Sequence, residues 1–224
     1  MTFSISACCP KTGMMGIAIS SSSPAVAARC SHARAGAGVV ASQNITDPSL
    51  GPKALDLLQS GIAAAKALEI LLSDYTTKDW RQVVVLDRTG QAATFSGDET
   101  LGINATAKGC HCAAAGNLLA NDTVPDAMIT AFSEAQGDLG DRLIAAMKAG
   151  LAAGGEAGPV HSAGLYMVRN VSWPVADLRV DWAEEDPIGA LSNLWDLYKP
   201  QLEDYVTRAI DPTAAPSYGV PGDE

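Results

Sequence analysis

Thr2, directly behind Met1, is the first residue of the chain whose type and position could do chemistry. A small second residue permits removal of Met1, which would leave Thr2 with a hydroxyl group and a free α-amino group. An α-amine has an ordinary pKa of about 7.7 to 8.0, so at neutral pH it can take the hydroxyl proton without help from a histidine. This pair predicts acyl transfer through an ester on the Thr2 oxygen. The structural alternative is a strand residue whose hydroxyl caps a backbone group.

Acyl transfer also needs hydrogen-bond donors for the negative oxygen of the tetrahedral intermediate. Asn117, at the end of a predicted strand beside Gly116, is the second catalytic candidate because its side-chain amide can donate to that oxygen. The structural alternative for Asn117 is an Asx turn, a role that asparagine often has after a strand.

Four further residues are candidates for substrate binding. Ser4 lies two residues after Thr2 and therefore faces the same side of a strand. Ser21 and Ser22 can offer hydroxyl or backbone donors, and Arg34 can orient an anionic substrate. For Arg34, a surface salt bridge with one of the many acidic residues is an equally good interpretation.

The cysteines do not predict a metal site. Cys110 and Cys112 would face one side of a strand and His111 the other, so the three could not bind one zinc ion without leaving strand geometry. Cys8 and Cys9 are adjacent and have the same difficulty. We expect all five cysteines to be free thiols, and we predict neither a metal nor a cofactor.

Composition and charge narrow the class of protein. The chain has 224 residues, 47% of them hydrophobic, and a formal charge of -10. Such an acidic chain repels phosphate backbones and anionic lipid, so nucleic-acid binding is not expected. No secretory signal and no run of about 18 apolar residues is present, which predicts a cytoplasmic protein with no membrane span.

Runs of strands and helices alternate along the chain. Period-2 patterns and turn residues predict strands, and apolar residues at helical spacing predict helices. The predicted strands lie at 2–8, 14–21, 35–43, within 80–97 as a hairpin, from 110 to about 117, and at 161–170 and 175–182. Two helices are predicted within 49–74, and others at 124–135, 139–154 and 186–210, the last interrupted by Pro200.

Segregated runs of this kind predict an α+β fold with antiparallel sheets and helices outside them. Two sheets packed face to face and covered by helices would bury every apolar face, which gives a four-layer αββα sandwich. We expect one domain over residues 1–210 and a loosely ordered tail over 211–224, where Pro, Gly and acidic residues follow no apolar period.

Several stretches resemble, in order and spacing, the bacterial family known as domain of unknown function 1028. They are MTFSI, AISSSSPAVAA, ARAGAGVVASQ, LGPKALDLLQSG, AGNLL and DLRVDWAEEDPI, within about residues 1–198. The family is grouped with the N-terminal nucleophile (Ntn) hydrolases, so the resemblance implies the αββα sandwich and amide hydrolysis by an N-terminal nucleophile. It also implies binding roles for Ser162 and for Asp177, although a charge cluster of Asp177 with Arg179 is the simpler interpretation. Where His161 stands, family members usually have Gln.

Three hypotheses follow for the function. The first is a cytoplasmic Ntn-type amidohydrolase of a small metabolite, with Thr2 as nucleophile. The second is a non-catalytic binding or assembly module on the same fold that keeps Met1. The third is an enzyme that uses Ser4, Cys30 or a bound water in place of Thr2. The Ala- and Gly-rich strands favour a homo-oligomer in each case.

Overall fold

The computed structural model describes residues 1–223; Glu224, the last residue of the predicted tail, lies outside the described residues. Ten strands are present: β1 Thr2–Cys9, β2 Met14–Ser21, β3 Ser31–Arg34, β4 Gly38–Asn44, β5 Arg81–Asp87, β6 Ala92–Ser96, β7 Ala105–Gly109, β8 Cys112–Asn117, β9 Ser162–Val168 and β10 Ala176–Val180. Seven α-helices accompany them: α1 Val26–Cys30, α2 Leu50–Gln59, α3 Ala64–Ser73, α4 Val124–Glu134, α5 Leu139–Ala152, α6 Pro187–Tyr198 and α7 Leu202–Ile210.

The strands form two antiparallel sheets, one of six strands in the order β10-β9-β2-β1-β8-β7 and one of four in the order β3-β4-β5-β6. Helices α4 and α5 cover the outer face of the first sheet, and α2 and α3 cover the outer face of the second. The inner faces pack on each other, mainly through β1, β2 and β8 against β4 and β5. The α+β fold and the four-layer αββα sandwich are therefore confirmed.

Strand β1 shows how the alternating sequence produces these layers. Phe3 and Ile5 belong to the apolar core that the six-stranded sheet shares with α4 and α5. Ser4, on the opposite face, donates a hydrogen bond across the sandwich to Gln43 of β4. Successive side chains of a strand point to opposite faces, so the period-2 pattern directs Thr2 and Ser4 into the space between the sheets.

The space between the sheets is apolar at one end and polar at the other. At the Cys8 end of β1, Met15 and Ile17 of one sheet pack against Val84 and Leu86 of the other. At the Thr2 end the buried side chains are hydroxyls and amides. An apolar end fixes how the sheets pack, whereas buried polar groups need specific partners and are where chemistry can take place.

Three short elements were not predicted: helix α1 and strands β3 and β7. The strand predicted from 110 to about 117 is wrong at its start, because Cys110 and His111 form a turn and the strand is Cys112–Asn117, which ends where it was predicted to end. His111 has a φ of 61°, a left-handed conformation that ends any strand. The predicted interruption at Pro200 is correct, since a single 3-10 turn separates α6 from α7.

The last regular element, α7, ends at Ile210, where the predicted tail begins. Arg208 of α7 contacts the tail: its guanidinium lies 3.8 Å from the ring centroid of Tyr218 and donates to the carbonyl of Pro216. Across residues 1–223, no helix combines the length and apolar character that crossing a membrane requires.

Candidate functional site

Four residues that the sequence singled out lie side by side across four neighbouring strands. Asn117 of β8 pairs with Thr2 of β1. Ser21 of β2 pairs with Ser162 of β9, and the Phe3–Ser20 pair places Thr2 opposite Ser21. The antiparallel register therefore brings residues from three distant parts of the chain to one end of the six-stranded sheet.

Thr2 is covered by the residue before it. Its side chain is only 4% exposed, and its hydroxyl donates to the carbonyl oxygen of Met1. The hydroxyl of Ser21 donates to the same carbonyl oxygen. The oxygens of the two hydroxyls are 3.5 Å apart. Because Met1 precedes Thr2 in the structure, the Thr2 nitrogen is a peptide nitrogen and the Met1 carbonyl occupies the position of an acyl group.

A chain of hydrogen bonds leads from Ser21 to a cation. The oxygens of Ser21 and Ser23 are 2.8 Å apart, and the guanidinium of Arg29 donates to the Ser23 hydroxyl at 3.1 Å. An arginine can only donate, so the Ser23 hydrogen is free to point to Ser21, and the Ser21 hydrogen to Met1. The chain thus runs in one direction, from Arg29 to the carbonyl beside Thr2.

Buried amides form a second network behind Thr2. Ser4 donates to the Oε1 of Gln43 at 2.7 Å, and the Nε2 of Gln43 donates to the Oε1 of Gln82 at 2.7 Å. That oxygen also accepts from the Nδ2 of Asn117 at 3.1 Å. The Nε2 of Gln82 donates to Ser96 and to the carbonyl of Gly116. Ser4 is therefore part of a rigid link between the sheets and does not point to an open cavity.

Asn117 is fully buried, yet its Oδ1 has no hydrogen-bond partner within the described part of the chain. The next residue, Leu118, has a φ of 51°, which is unfavourable for a leucine. Backbone bonds hold Leu118 in this conformation, from its nitrogen to Leu101 and from Ala157 to its carbonyl. A strained backbone beside an unpaired buried acceptor is typical of functional sites.

Glu156, which the sequence did not single out, lies at the same end of the sheet. Gly154 and Gly155 end α5 with φ values of 122° and 57°, and the chain then turns so that Glu156 forms a bridge with Leu119. A Cβ on Gly154 would lie 2.9 Å from the amide of Asn121, so the turn requires glycine there.

The carboxylate of Glu156 is 4% exposed and accepts from the backbone nitrogen of Ser22 at 3.1 and 3.2 Å. Burial raises its pKa to about 7. The bond from Ser22, the charge of the chain's amino group and the His161 imidazole all act in the opposite direction. Ser22 therefore contacts Glu156 through its backbone nitrogen.

Two residues of β9 and its preceding loop fix this end of the site. The Nδ1 of His161 lies 2.9 Å from the carbonyl oxygen of Ala183, and its ring stacks on Trp182 at 4.4 Å. A carbonyl only accepts, so Nδ1 carries the hydrogen. Ser162 donates to the carbonyl of Ser23 at 2.7 Å, which holds the loop after β2 in place. Ser162 thus positions the site rather than facing a ligand.

Arg34 and Asp177 are not near Thr2. Arg34 pairs with Gly38 in β3 and β4, and Gln43 follows five residues later, about 16 Å away at roughly 3.3 Å per residue. Arg34 forms a salt bridge of 2.7 Å with Asp56, as its structural alternative predicts. Arg34 and Asp177 line a separate groove of about 340 Å³ together with Tyr166 and Arg179. The residues that line this groove do not include Thr2, Ser21 or Asn117.

The other possible nucleophiles and ligands are poorly placed. Burial raises the pKa of the Cys30 thiol, which disfavours the reactive thiolate. The hydroxyl of Ser4 already donates a hydrogen bond to Gln43. All five cysteines are free thiols. Within residues 1–223, no three His, Cys, Asp or Glu side chains are grouped so that they could hold a metal ion.

Comparisons with known proteins agree with this fold. A family model described as a family of unknown function (DUF1028) matches residues 2–191. The crystal structure of protein SPO2555 from Silicibacter pomeroyi, assigned to the same family model, is 30% identical, with a TM-score of 0.83 over 88% of this chain and 89% of that chain. Anbu (ancestral beta-subunit) from Yersinia bercovieri is 9% identical, with a TM-score of 0.38 over 91% and 97%, which is too low to support an inference. No curated protein matches.

Proposed function

The chain belongs to the family of unknown function DUF1028, and on that premise we propose that it is an Ntn-type amide hydrolase with Thr2 as its nucleophile. The observation that carries the proposal is that the hydroxyls of Thr2 and Ser21 meet at one carbonyl oxygen. In acyl transfer the nucleophile approaches the carbon of a carbonyl while a donor binds its oxygen, so the two groups must lie beside the same carbonyl, as Thr2 and Ser21 do here.

The reaction begins from the form without Met1. The Thr2 α-amine takes the hydroxyl proton, and the oxygen attacks the substrate carbonyl to form a tetrahedral intermediate. The carbon–nitrogen bond of the substrate then breaks, and the α-ammonium returns the proton to the leaving amine. Water, deprotonated by the same amine, hydrolyses the ester on Thr2 and releases the acid.

Ser21 is the oxyanion donor in this proposal, and Arg29 acts on it through Ser23. A hydroxyl that accepts from a donor chain ending in a cation becomes a stronger donor itself. The sequence assigned the oxyanion role to Asn117 and the orientation of an anionic substrate to Arg34. Arg34 lies in the other groove, and the Nδ2 of Asn117 already donates to Gln82.

Asn117 has a different role in the proposal. Its Oδ1 is an unpaired buried acceptor on the strand beside Thr2. We assign to this oxygen one hydrogen of the Thr2 α-amine, which would orient the lone pair of the amine toward the Thr2 hydroxyl. The Gln82 network fixes the side chain of Asn117 for this purpose.

A non-catalytic module that keeps Met1 is the second candidate. One observation favours it: Thr2 is buried beneath Met1, and the carbonyl oxygen of Met1 accepts hydrogen bonds from the hydroxyls of both Thr2 and Ser21. While Met1 remains, the Thr2 nitrogen cannot act as a base and the acyl position is filled.

Amide turnover separates the two candidates. Protein made with its own N-terminus is checked for Met1 by intact mass and incubated with a panel of acyl p-nitroanilides. We expect p-nitroaniline release by wild type and by Thr2→Ser, and none by Thr2→Ala, which also permits Met1 removal. Release that survives Thr2→Ala would refute the proposal, and complete retention of Met1 would favour the module.

We also propose that the protein acts in the reducing cytoplasm as a homo-oligomer. Five free thiols suit a reducing compartment. Exposed apolar side chains surround Asn44, which bonds to the backbone of Trp80 and Leu101, and such patches often mark contacts between subunits. Light scattering after gel filtration would test the assembly, and a purely monomeric protein would exclude it.

A further inference from the structure

Glu156 is a buried carboxylate with too few partners for its charge. Each of its oxygens accepts from the same donor, the backbone nitrogen of Ser22, and the described hydrogen bonds give it no other donor. A buried charge of this kind is destabilising unless a cation or further donors accompany it. The carboxylate therefore either takes up a proton or pairs with a cation.

The carboxylate lies close to the reacting atoms. Its partner Ser22 directly follows Ser21, whose hydroxyl donates to the acyl oxygen. On the other side, Glu156 forms its bridge with Leu119, two residues after Asn117. The loop that carries Glu156 thus closes the same end of the sheet as Thr2.

Met1 shows what kind of group this end of the site can hold. Chemically, Met1 is an α-aminoacyl group joined to the Thr2 nitrogen by an amide bond. Its carbonyl oxygen accepts from Thr2 and Ser21, and its amino group is one of the charges that favour ionised Glu156. Its side chain is 38% exposed, so it extends toward solvent.

We infer that the acyl subsite takes acyl groups with an α-ammonium, as in amino-acid amides and aminoacyl peptides, and that Glu156 is the counter-ion of that ammonium. This inference rests on the proposed function and gives its substrate class. The acyl carbonyl lies at Ser21, the ammonium at Glu156, and the side chain at the open position that Met1 fills. A neutral acyl group would supply no cation of its own to Glu156.

His161 limits the alternatives for this carboxylate. Its backbone nitrogen donates to the carbonyl of Ser21, which places it beside Ser22 and Glu156. Its ring is held by Ala183 and Trp182, and Nδ1 is already used. His161 therefore forms part of the wall of the subsite beside Glu156. Glu156 is the residue that we assign to the ammonium.

Two β-lactones that differ in one group test the inference. The cationic probe is 3-amino-oxetan-2-one and the neutral probe is 3-methyl-oxetan-2-one. Each acylates a hydroxyl by opening its ring, so the oxygen of Thr2 forms the ester and the ring oxygen leaves as an alcohol on the same molecule. Rates are measured by intact mass near neutral pH on protein without Met1, and peptide mapping confirms the site.

We expect wild type to react with the cationic probe at least about tenfold faster than with the neutral one, relative to the rates of the two probes with a free threonine ester. Glu156→Gln should bring this ratio close to one. Glu185→Gln, which removes an exposed carboxylate, should keep the wild-type ratio.

The outcomes separate the inference from the function on which it rests. Equal wild-type rates at Thr2 would overturn the ammonium subsite and leave the hydrolase proposal intact, and this comparison does not depend on the folding of any variant. A preference that persists in Glu156→Gln would overturn the role of Glu156. Failure of both probes to acylate Thr2 would refute the hydrolase proposal itself.

Discussion

Thr2 and Ser21 donate to one and the same carbonyl oxygen, that of Met1, from hydroxyl oxygens 3.5 Å apart. The two residues are 19 positions apart in sequence and are brought together by the β1–β2 hairpin. In the proposed reaction, Thr2 is the nucleophile and Ser21 is the donor to the oxyanion.

Removal of the Ser21 hydroxyl should slow acylation of Thr2 by about 10²- to 10³-fold, which is typical for loss of one oxyanion donor. Ser21→Ala is compared with wild type by intact mass, with 3-methyl-oxetan-2-one as the probe. Ser20→Ala is the matched control, because Ser20 is also buried in β2 but donates to the carbonyl of Ser162. Equal slowing in both variants would show that the effect is structural.

Arg29 and Arg34 should differ in their effect on the same rate. Arg29→Gln removes the cation at the end of the hydroxyl chain, so we expect acylation to slow by about tenfold. Arg34→Gln removes an arginine that pairs with Asp56 far from Thr2, and its rate should stay within about twofold of wild type. The opposite order would restore Arg34 as the functional cation.

The raised pKa of Glu156 should make the protein less stable as pH rises from about 4.5 to about 7. In this range the folded state binds a proton that the unfolded state has released, so the free energy of unfolding falls with pH and levels off above about 7. The upper limit of the loss is about 3 kcal/mol, from about 1.4 kcal/mol per pH unit.

Urea unfolding of wild type and Glu156→Gln between pH 4.5 and pH 8 measures this effect. The difference between the two curves isolates the contribution of Glu156 from that of every group that both proteins share. The glutamine variant should gain stability relative to wild type as pH rises. Parallel curves would mean that burial does not raise the pKa of Glu156 in the folded protein.

A substitution at the centre of the buried amide network should lower the free energy of unfolding more than a substitution at its edge. Gln82→Leu removes the acceptor of both Gln43 and Asn117, and we expect a loss of about 3 kcal/mol in the free energy of unfolding. Ser96→Ala removes one partner near the surface, where water can replace it, and should lose about 1 kcal/mol or less. Equal losses would contradict the central role of Gln82.

The sequence predicted the layers of this fold because they follow from local patterns. Alternation in β1 separates the apolar side chains that pack under the helices from the small polar ones that face the other sheet, and helical spacing in α5 fixes its buried face. Those faces determine the αββα order. Short elements were missed for the same reason: β3 has four residues, all half-buried, so it shows no alternation.

The site was predicted only in part. The sequence could point to three of the candidate residues, Thr2, Ser21 and Asn117. Each of them is a residue type suited to this chemistry at the end of a predicted strand, so no knowledge of its contacts was needed. The sequence could not point to Arg29 and Glu156, because their importance comes from contacts between distant segments, such as the bond of Glu156 to Ser22. One signal was available: Glu156 is a lone acid directly after a pair of glycines, where the chain leaves a helix and turns sharply.

The central claim is that Thr2 is the nucleophile, and the site of covalent acylation tests it most directly. Protein that has lost Met1 is treated with 3-methyl-oxetan-2-one, and the modified residue is identified by peptide mapping, with Thr2→Ser and Thr2→Ala in parallel. We expect a single ester on residue 2 in wild type and in Thr2→Ser, and none there in Thr2→Ala. An unmodified Thr2, or an adduct only on a cysteine such as Cys9 or Cys110, would contradict it.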